Sequence, residues 1–452
     1  MVYTEVSLAE LKSRLAAKLG DPGLVFWTAG ELTGYLNEAL ATWQAFSGYY
    51  TERWTLELQA GQGIYDLPTE VNSPLAYTAT ATDLIARAKQ VLLEPDTSLA
   101  TWLEQYPSTQ LDAARAALRS NYERWLRDTG LITKYQELAG AELIELPERN
   151  LELRHVDWKA EPGINPLTHY YTELRETQAD QTRYTFYYAN KQPRAYISLS
   201  QPLNSVRLFP PPEDIGKLAV FNLELPSETA LDSSPLPIPP ALDWVLKYGM
   251  LEHLFGFDGQ CRDPYRAEYC ARRYEDSLIL GRNYPAVYNA WLNGRGIVVG
   301  GIKDLAARRP RWRNELGTPK VVGLVSWNHL VVSPIPQAED LPLTLELEIQ
   351  SRPPQLSSDT DVVQLPREYH ELILDFAKHL ALLKTSGAEF AASLGSYKDL
   401  LTTAMEFNNR LLARQADLWL FRKRATEDQR SKPRWQDSSK QSETGVMLGG
   451  QK

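Results

Sequence analysis

The residue types that most often carry chemistry are sparse in this sequence and are not spaced for it. His370-Glu371 begins like the metalloprotease pattern H-E-x-x-H, but Leu374 stands where the second histidine would be. Cys261 and Cys270 are the only cysteines, and a zinc knuckle needs a second, closely spaced pair. The G-x-S-x-G elbow of serine hydrolases is absent from the sequence. The sequence therefore predicts no catalytic residue, no cofactor site and no metal site.

Two other segments hold residues that could bind phosphate. The stretch GRGIVVGG (294–301) lacks the Gly-Lys-Ser/Thr ending of a phosphate-binding loop, which favours a flexible joint. The stretch RRPRWRN (308–314) interleaves arginines with a tryptophan. Such a cluster could lie in a solvated loop, bridge acidic neighbours in an assembly or contact a phosphate backbone. Its candidates for contacts between copies or with DNA are Arg308, Arg309, Arg311, Trp312 and Arg313.

Composition argues against several classes of protein. The net charge of −9 argues against a protein that coats nucleic acid, although it suits a wall past which DNA slides without sticking. Apolar runs stay below the roughly 18 residues of a membrane helix, so no membrane partner is expected. Disulfides cannot be the main cross-links in a chain with two cysteines, which indicates synthesis in a reducing compartment.

The element best defined by the sequence is an aromatic helix, ELTGYLNEALATWQAFSGYY (31–50). Its apolar side chains recur at three- and four-residue steps, and Thr28 with Glu31 predicts a capping box at its start. The apolar stripe could be a ligand box or a packing seam, and the amphipathic pattern favours the seam. The aromatic residues beyond the helix are candidates for contacts between copies: Tyr49, Tyr50 and Trp54.

The chain repeats itself in two pairs of segments. The front halves, at 28–95 and 108–165, each hold an aromatic helix followed by an alternating stretch, and RWTLELQAGQGIYDLP (53–68) predicts a hairpin. The back halves, at 185–282 and 318–412, each hold strands that end in prolines and then a pair of amphipathic helices. The sequence therefore indicates a duplicated unit.

The order of these segments, two front halves and then two back halves, predicts that one unit is inserted into a loop of the other. A plain tandem would order the parts differently. The expected inserted unit is 100–285, and the expected outer unit is 1–95 plus 300–421, with a glycine-rich joint at 286–299. Each unit combines helices with short β segments, so the expected fold class is α+β dominated by helices.

The end of the chain, 422–452, is basic and poor in apolar residues, which is typical of a disordered tail. Because the rest of the chain is acidic, the tail could instead be an extended arm held by a partner. The expected carrier of this arm is one long helix over 388–421. The anchors expected to fill pockets on a partner or a neighbouring copy are Trp435, Val446, Met447 and Leu448.

Taken together, these motifs resemble the head-to-tail adaptor (connector) proteins of tailed bacteriophages. The first motif is the helix of the form E-L-x-x-Y-x-N-E-A-x-x-x-W, which ends near Ser-Gly and is followed by a stretch that closes on Leu-Pro. The others are VRLFPPP with PIPPALDWVLKYGML, and LVVSPIP with LPREYHELILDFAKHL. Members of that family often hold one unit, whereas this chain holds two.

The resemblance implies a ring, commonly of twelve copies, that docks under the portal and has a central channel for DNA. The protein would then be a non-enzymatic virion component of the head–tail neck, made in the host cytoplasm. Its implied partners are the portal protein, tail or nozzle proteins, other copies of itself and, in transit, double-stranded DNA. The arm at 422–452 would bind the portal.

The alternative is a carbohydrate-active enzyme of a phage tail that uses its aromatic side chains as sugar platforms. Buried acids with shifted pKa values in a cleft would favour that alternative.

Overall fold

A computed structural model describes most of the chain and shows an α+β fold, as the sequence predicts. The described residues are 6–69, 77–92, 108–147, 149–160, 163–166, 168–169, 193, 195–199, 204–209, 211–212, 216–225, 234–256, 262–283, 287–302, 305–306, 309 and 312–410. Within these ranges, no helix is both long enough and apolar enough to cross a membrane.

The elements are numbered in chain order. The helices are α1 Leu8–Lys18, α2 Ala29–Ser47, α3 Ala81–Leu92, α4 Ser108–Thr129, α5 Trp244–Gly256, α6 Pro264–Asn283, α7 Arg367–Thr385, α8 Gly387–Ala392 and α9, residues 394–410. The strands are β1 Thr51–Glu57, β2 Ile64–Asp66, β3 Lys134–Ala139, β4 Leu143–Glu145, β5 Asn150–Ala160, β6 Gly163–Pro166, β7 Thr168–His169, β8 Ala195–Leu199, β9 Ser205–Phe209, β10 Lys217–Glu224, β11 Val287–Leu292, β12 Arg295–Gly301, β13 Val321–Leu324, β14 His329–Ser333 and β15 Thr344–Gln350. Short 3₁₀-helices occur at Pro240–Leu242 and Ala338–Asp340.

Helix α2 begins and ends as its sequence predicts. Thr28 and Glu31 form a complete capping box at its N-terminus. Gly48 ends it with φ 62°, a left-handed conformation that glycine adopts without strain, and a side chain there would overlap the hydroxyl of Tyr288. The apolar stripe is buried in the main core, which confirms the packing seam. Its aromatic members are Tyr35, Trp43 and Phe46.

The strands form three sheets. A seven-stranded sheet has the order β1-β15-β11-β12-β13-β14-β2, and two four-stranded sheets have the orders β3-β10-β5-β6 and β4-β9-β8-β7. Neighbouring strands are antiparallel except β12 with β13 and β7 with β8. The two four-stranded sheets share a small core around Trp158, whereas helices from the whole chain share the main core, which includes Trp43, Trp125 and Trp244.

The hairpin predicted over 53–68 is wrong. Strands β1 and β2 lie at opposite edges of the seven-stranded sheet. Strand β1 pairs with β15, from Thr51 opposite Gln350 to Glu57 opposite Thr344, and β2 pairs with β14. The counterparts β3 and β4 likewise pair with β10 and β9, in different sheets. Alternation of polar and apolar residues indicates a strand but not its partner, and these partners lie far along the chain.

The flexible joint predicted at 286–299 is also wrong. Strands β11 and β12 form an antiparallel hairpin, whose turn residues Asn293 and Gly294 have φ values of 47° and 75°. An Asn-Gly pair with both φ values positive is typical of a tight two-residue hairpin turn. Because β11 also pairs with β15 and β12 with β13, this hairpin lies inside the seven-stranded sheet.

The single helix predicted over 388–421 is interrupted at Ser393. Helix α8 ends at Ala392, and α9 begins one residue after Ser393. The Ser393 hydroxyl donates to the carbonyl of Phe390 at 2.8 Å, and such local bonds compete with helix continuation. The remainder of the predicted helix, 411–421, lies outside the described residues.

The order of strands and helices is the same in two parts of the chain. The run β1-β15-β11-β12 corresponds to β3-β10-β5-β6, and β13-β14-β2 corresponds to β8-β9-β4. Helix α1 packs on α2 and α7, just as α3 packs on α4 and α5. The two parts differ in sheet continuity, because β12 pairs with β13 whereas β6 and β8 lie in different sheets, and they also differ at a connection. The chain runs directly from β4 to β5, whereas residues 67–286 lie between β2 and β11.

Candidate protein interfaces

The basic segment 308–314 is engaged within the fold where the structure describes it. Arg309 donates to both carboxylate oxygens of Glu315 at 2.9 Å. Trp312 is 6% exposed and packs in a small apolar cluster. Arg308 and Arg311 lie outside the described residues. Contacts of this segment with DNA or with another copy remain a prediction.

Arg313 ties this segment to strand β5. Its Nε donates to the carboxylate of Asp157 at 3.0 Å, and its guanidinium lies over the ring of Trp312 at 4.2 Å. Burial raises the pKa of Asp157, and the charge of Arg313 opposes part of that rise. The ion pair therefore joins the segment between β12 and β13 to strand β5, which is distant in sequence.

The aromatic residues after α2 have different surroundings. Tyr50 is buried, and its N–H donates to the side-chain oxygen of Gln44 at 2.8 Å, so its predicted availability to another copy is wrong. Tyr49 is half-buried, with its ring 5.4 Å from that of Phe407. Trp54 on β1 is also half-buried. The helical periodicity ends at Gly48, so it could not predict that Tyr50 is buried whereas Tyr49 and Trp54 are half-buried.

The predicted anchors of the C-terminal arm lie outside the described residues. They are Trp435, Val446, Met447 and Leu448. Their role in binding a partner stays a prediction.

The turn between β13 and β14 contacts the chain just before β3, and we call this contact the Asn328 junction. The side chain of Asn328 accepts from the N–H of Thr133 at 3.1 Å and donates to its carbonyl at 2.8 Å. The N–H of Trp327 donates to the carbonyl of Leu131 at 2.8 Å. One asparagine side chain thus pairs with a strand edge as a neighbouring strand would.

A buried charge cluster, the Glu38 cluster, joins α2 to α5 and α6. The Glu38 carboxylate accepts from the Nζ of Lys247 and, at 2.7 Å, from the hydroxyl of Tyr248. Arg273 of α6 lies 3.9 Å from the same carboxylate, and its guanidinium lies 4.4–5.2 Å from the centres of four aromatic rings. Burial alone would raise the pKa of Glu38, but the two cations lower it below its usual value. Glu38 is therefore held as a buried anion between three helices.

A pocket of about 430 Å³ lies beside the Glu38 cluster, between α2, α3 and residues 352–355. Asp243 also lines it; burial raises the pKa of its carboxyl group, and Arg87, 2.9 Å away, opposes that rise. These are buried acids with shifted pKa values, the feature that would favour an enzyme. Each is nevertheless held by a cation of the chain, Glu38 by Lys247 and Asp243 by Arg87. Such pairing is typical of a network that holds helices together.

His379 of α7 is the most strongly buried histidine that the structure describes. Its Nε2 lies 2.7 Å from the hydroxyl of Tyr269, and its Nδ1 lies 2.8 Å from the hydroxyl of Ser393. Burial and then the charge of Arg273 lower its pKa to about 3. The ring is therefore a neutral hydrogen-bonding link between α7 and α6.

The described residues hold no group of three or more histidine, cysteine, aspartate or glutamate side chains that could bind a metal. Cys270 is fully buried on α6, as a small core residue, and burial raises the pKa of its thiol.

The sequence analysis predicted neither the Asn328 junction nor the Glu38 cluster. Lys247 was a usable signal, because it interrupts the otherwise apolar run WVLKYGML of α5. Glu38 gave no such signal, because it directly follows the polar residue Asn37 in α2. Asn328 carried a weaker signal, its recurrence as Asn204 in the other back half.

A comparison with protein families matches the chain to a family described as SU10 adaptor protein, over residues 6–81, 79–290 and 282–425. Together these stretches cover nearly the whole chain. The middle stretch closely matches the residues that lie between β2 and β11. A search of curated proteins finds no match to the chain.

Proposed function

Because the chain belongs to the SU10 adaptor protein family, we propose that it joins the portal of a phage head to the tail as a ring around the DNA channel. Family membership supports a structural, non-enzymatic role as a phage adaptor. The observation that carries the proposal is the family match along nearly the whole chain. The ring, the portal contact and the channel are the proposed part.

The proposed assembly has twelve copies, a portal above and tail or nozzle proteins below. The overall negative charge supports a DNA channel, because a lumen that repels phosphate lets DNA pass without binding it. The two buried acids beside the pocket, Glu38 and Asp243, are each paired with a cation of the chain, which gives the enzyme alternative no support.

The nested arrangement of two units is also part of the proposal. The repeated strand order and the three matched stretches support it. They favour boundaries that differ from those expected from sequence alone. The inserted unit would be 77–283, because α3 packs chiefly on α4 and α5, and the outer unit would be 6–69 plus 287–410.

The test of the function uses the full-length protein and portal rings of the same phage. Electron microscopy of the mixture should reveal a second ring on the face of the portal that meets the tail. Antibodies against the protein should label the neck of assembled virions. Labelling confined to tail fibres, with no binding to portal rings, would contradict the proposal.

Removal of residues 423–452 is expected to weaken attachment to portal rings at least tenfold. The arm carries its anchors as one tryptophan and a run of three apolar residues, and burying one such side chain contributes about 1.5–3 kcal/mol. Co-sedimentation with portal rings measures the effect, and circular dichroism should show that the helices remain. Attachment of the truncated protein at full strength would contradict a role for the arm.

A further inference from the structure

Both partners of the Asn328 junction have counterparts in the other part of the chain. Thr133 follows Gly130, the residue that ends α4, by three positions, and Thr51 follows Gly48 by the same three positions. Each threonine lies at the start of an edge strand, β3 in one sheet and β1 in another. The edge that receives Asn328 in one unit is therefore present in the other.

The backbone of Thr51 faces away from its own sheet. The carbonyl of Tyr50 accepts from the N–H of Ser351 at 3.0 Å, and the N–H of Leu58 donates to the carbonyl of Leu343 at 2.9 Å. Even-numbered residues of β1 thus bond to β15, and backbone groups alternate along an antiparallel edge strand. The N–H and C=O of Thr51 consequently point outward, as those of Thr133 point towards Asn328.

Asn204 occupies the position of Asn328. It comes directly before β9, as Asn328 comes directly before β14. The carbonyl of Asn204 accepts from the N–H of Leu146 at 2.6 Å, and the carbonyl of Asn328 accepts from the N–H of Leu67 at 2.8 Å. The two asparagines therefore accept the same backbone bond at the same end of equivalent strands, and they differ in that Asn204 has a positive φ of 58° whereas Asn328 does not.

We propose that Asn204 of one copy pairs with the backbone of Thr51 in the next copy, so that the Asn328 junction is repeated between chains. The proposal rests on the ring assembly proposed above. Thr51 and Asn204 lie in different sheets of one chain. The contact is head-to-tail, since one surface carries the asparagine and another the strand edge. Contacts of this kind generate rings when the rotation between copies closes.

A second copy is favoured over a different protein because the chain supplies both halves of the contact. An exposed strand edge pairs readily with other backbone groups, and natural edges are shielded by charge or by a partner. In the proposed contact an asparagine side chain shields the Thr51 end of β1, as the Asn328 side chain shields Thr133. A second copy is identified as the partner because Thr51 and Asn204 repeat the two residues of the Asn328 junction, and not because the strand edge is exposed.

Crosslinking in the full-length protein tests this contact directly. The double variant Thr51→Cys/Asn204→Cys, treated with a short bismaleimide, should give a ladder of covalently linked copies. Neither single variant should give the ladder. The matched variant Thr133→Cys/Asn328→Cys should react within the chain and give no ladder, because that contact is internal. The ladder from the first double variant alone supports the proposal.

A second variant tests the energetic role of the contact. Proline is tolerated where the N–H of an edge strand faces outward, so Thr51→Pro should leave the fold intact while removing the donor. Loss of the hydrogen bond donated by the N–H of residue 51 should weaken association between copies about tenfold in native mass spectrometry. Thr55→Pro, whose N–H also faces outward further along β1, is the control and should leave association unchanged.

The outcomes separate this contact from the proposed function. Rings formed by the wild type, with no ladder from Thr51→Cys/Asn204→Cys and full association of Thr51→Pro, overturn the contact and leave the adaptor function standing. A crosslink only within one chain also overturns it. Wild-type protein that forms no ring, even on portal rings, overturns both.

Discussion

Replacement of Glu38 with alanine is expected to lower the free energy of unfolding by about 3–5 kcal/mol, because removal of one partner from a buried ion pair leaves the other charge uncompensated. Lys247, whose side chain is only 3% exposed, would lose the carboxylate that pairs with it, and the hydroxyl of Tyr248 would lose its hydrogen-bond acceptor. Urea unfolding followed by circular dichroism measures the change. The expected loss is large for a single substitution because the Glu38 cluster joins three helices.

Two further variants define what the Glu38 result means. Glu268→Ala removes an exposed glutamate paired with Arg272 on α6 and should cost less than about 1 kcal/mol. The variant Glu38→Leu/Lys247→Met removes the carboxylate together with its closer cation and leaves only Arg273 uncompensated, so it should cost less than Glu38→Ala alone. Equal losses for Glu38→Ala and Glu268→Ala would contradict a structural role for the cluster.

The parts of the fold that the sequence predicts are those set by nearby residues. Helix α2 follows from its apolar spacing, its capping box and Gly48, all within one segment. The turn at Asn293-Gly294 had an equally local signal, but glycine content favoured a joint instead. Local patterns thus identify elements, and errors arise where the same residues suit two local structures.

Strand partners could not be predicted, because the alternating stretch at 53–68 is compatible with any neighbouring strand. The actual partners of β1 and β2 are β15 and β14, more than two hundred residues away. The repeats gave better information, since matched segments must use matched partners. Their order suggested an insertion, and the repeated strand order supports it.

The Glu38 cluster could not be predicted as a contact, because a charged residue in an apolar run shows that a partner is needed but not which partner. Glu38 and Lys247 gain meaning only when their helices meet, and no local spacing relates them. The arginines at 308–314 illustrate the converse. They formed a conspicuous cluster in sequence, yet Arg309 and Arg313 pair with carboxylates of the same chain.

Acid conditions are expected to weaken the protein through His379. Its pKa is lowered to about 3 in the folded state, whereas an unfolded histidine has a pKa near 6.5. Below pH 6.5 the unfolded chain therefore binds a proton that the folded chain does not, and stability falls as the pH falls. The contribution of His379 should be about 2 kcal/mol between pH 7.5 and pH 5, measured as the change in the free energy of unfolding.

The geometry gives the reason for this neutral state. The Ser393 hydroxyl donates to the carbonyl of Phe390, so it accepts from the Nδ1–H of His379 and leaves Nε2 to accept from Tyr269. Protonation at Nε2 would set its N–H against the Tyr269 hydroxyl hydrogen and place a second positive charge near Arg273. His379→Gln should flatten the pH dependence between pH 7.5 and pH 5, whereas His253→Gln, at an exposed position on α5, should preserve it. An unchanged pH dependence in His379→Gln would show that other groups cause the acid sensitivity.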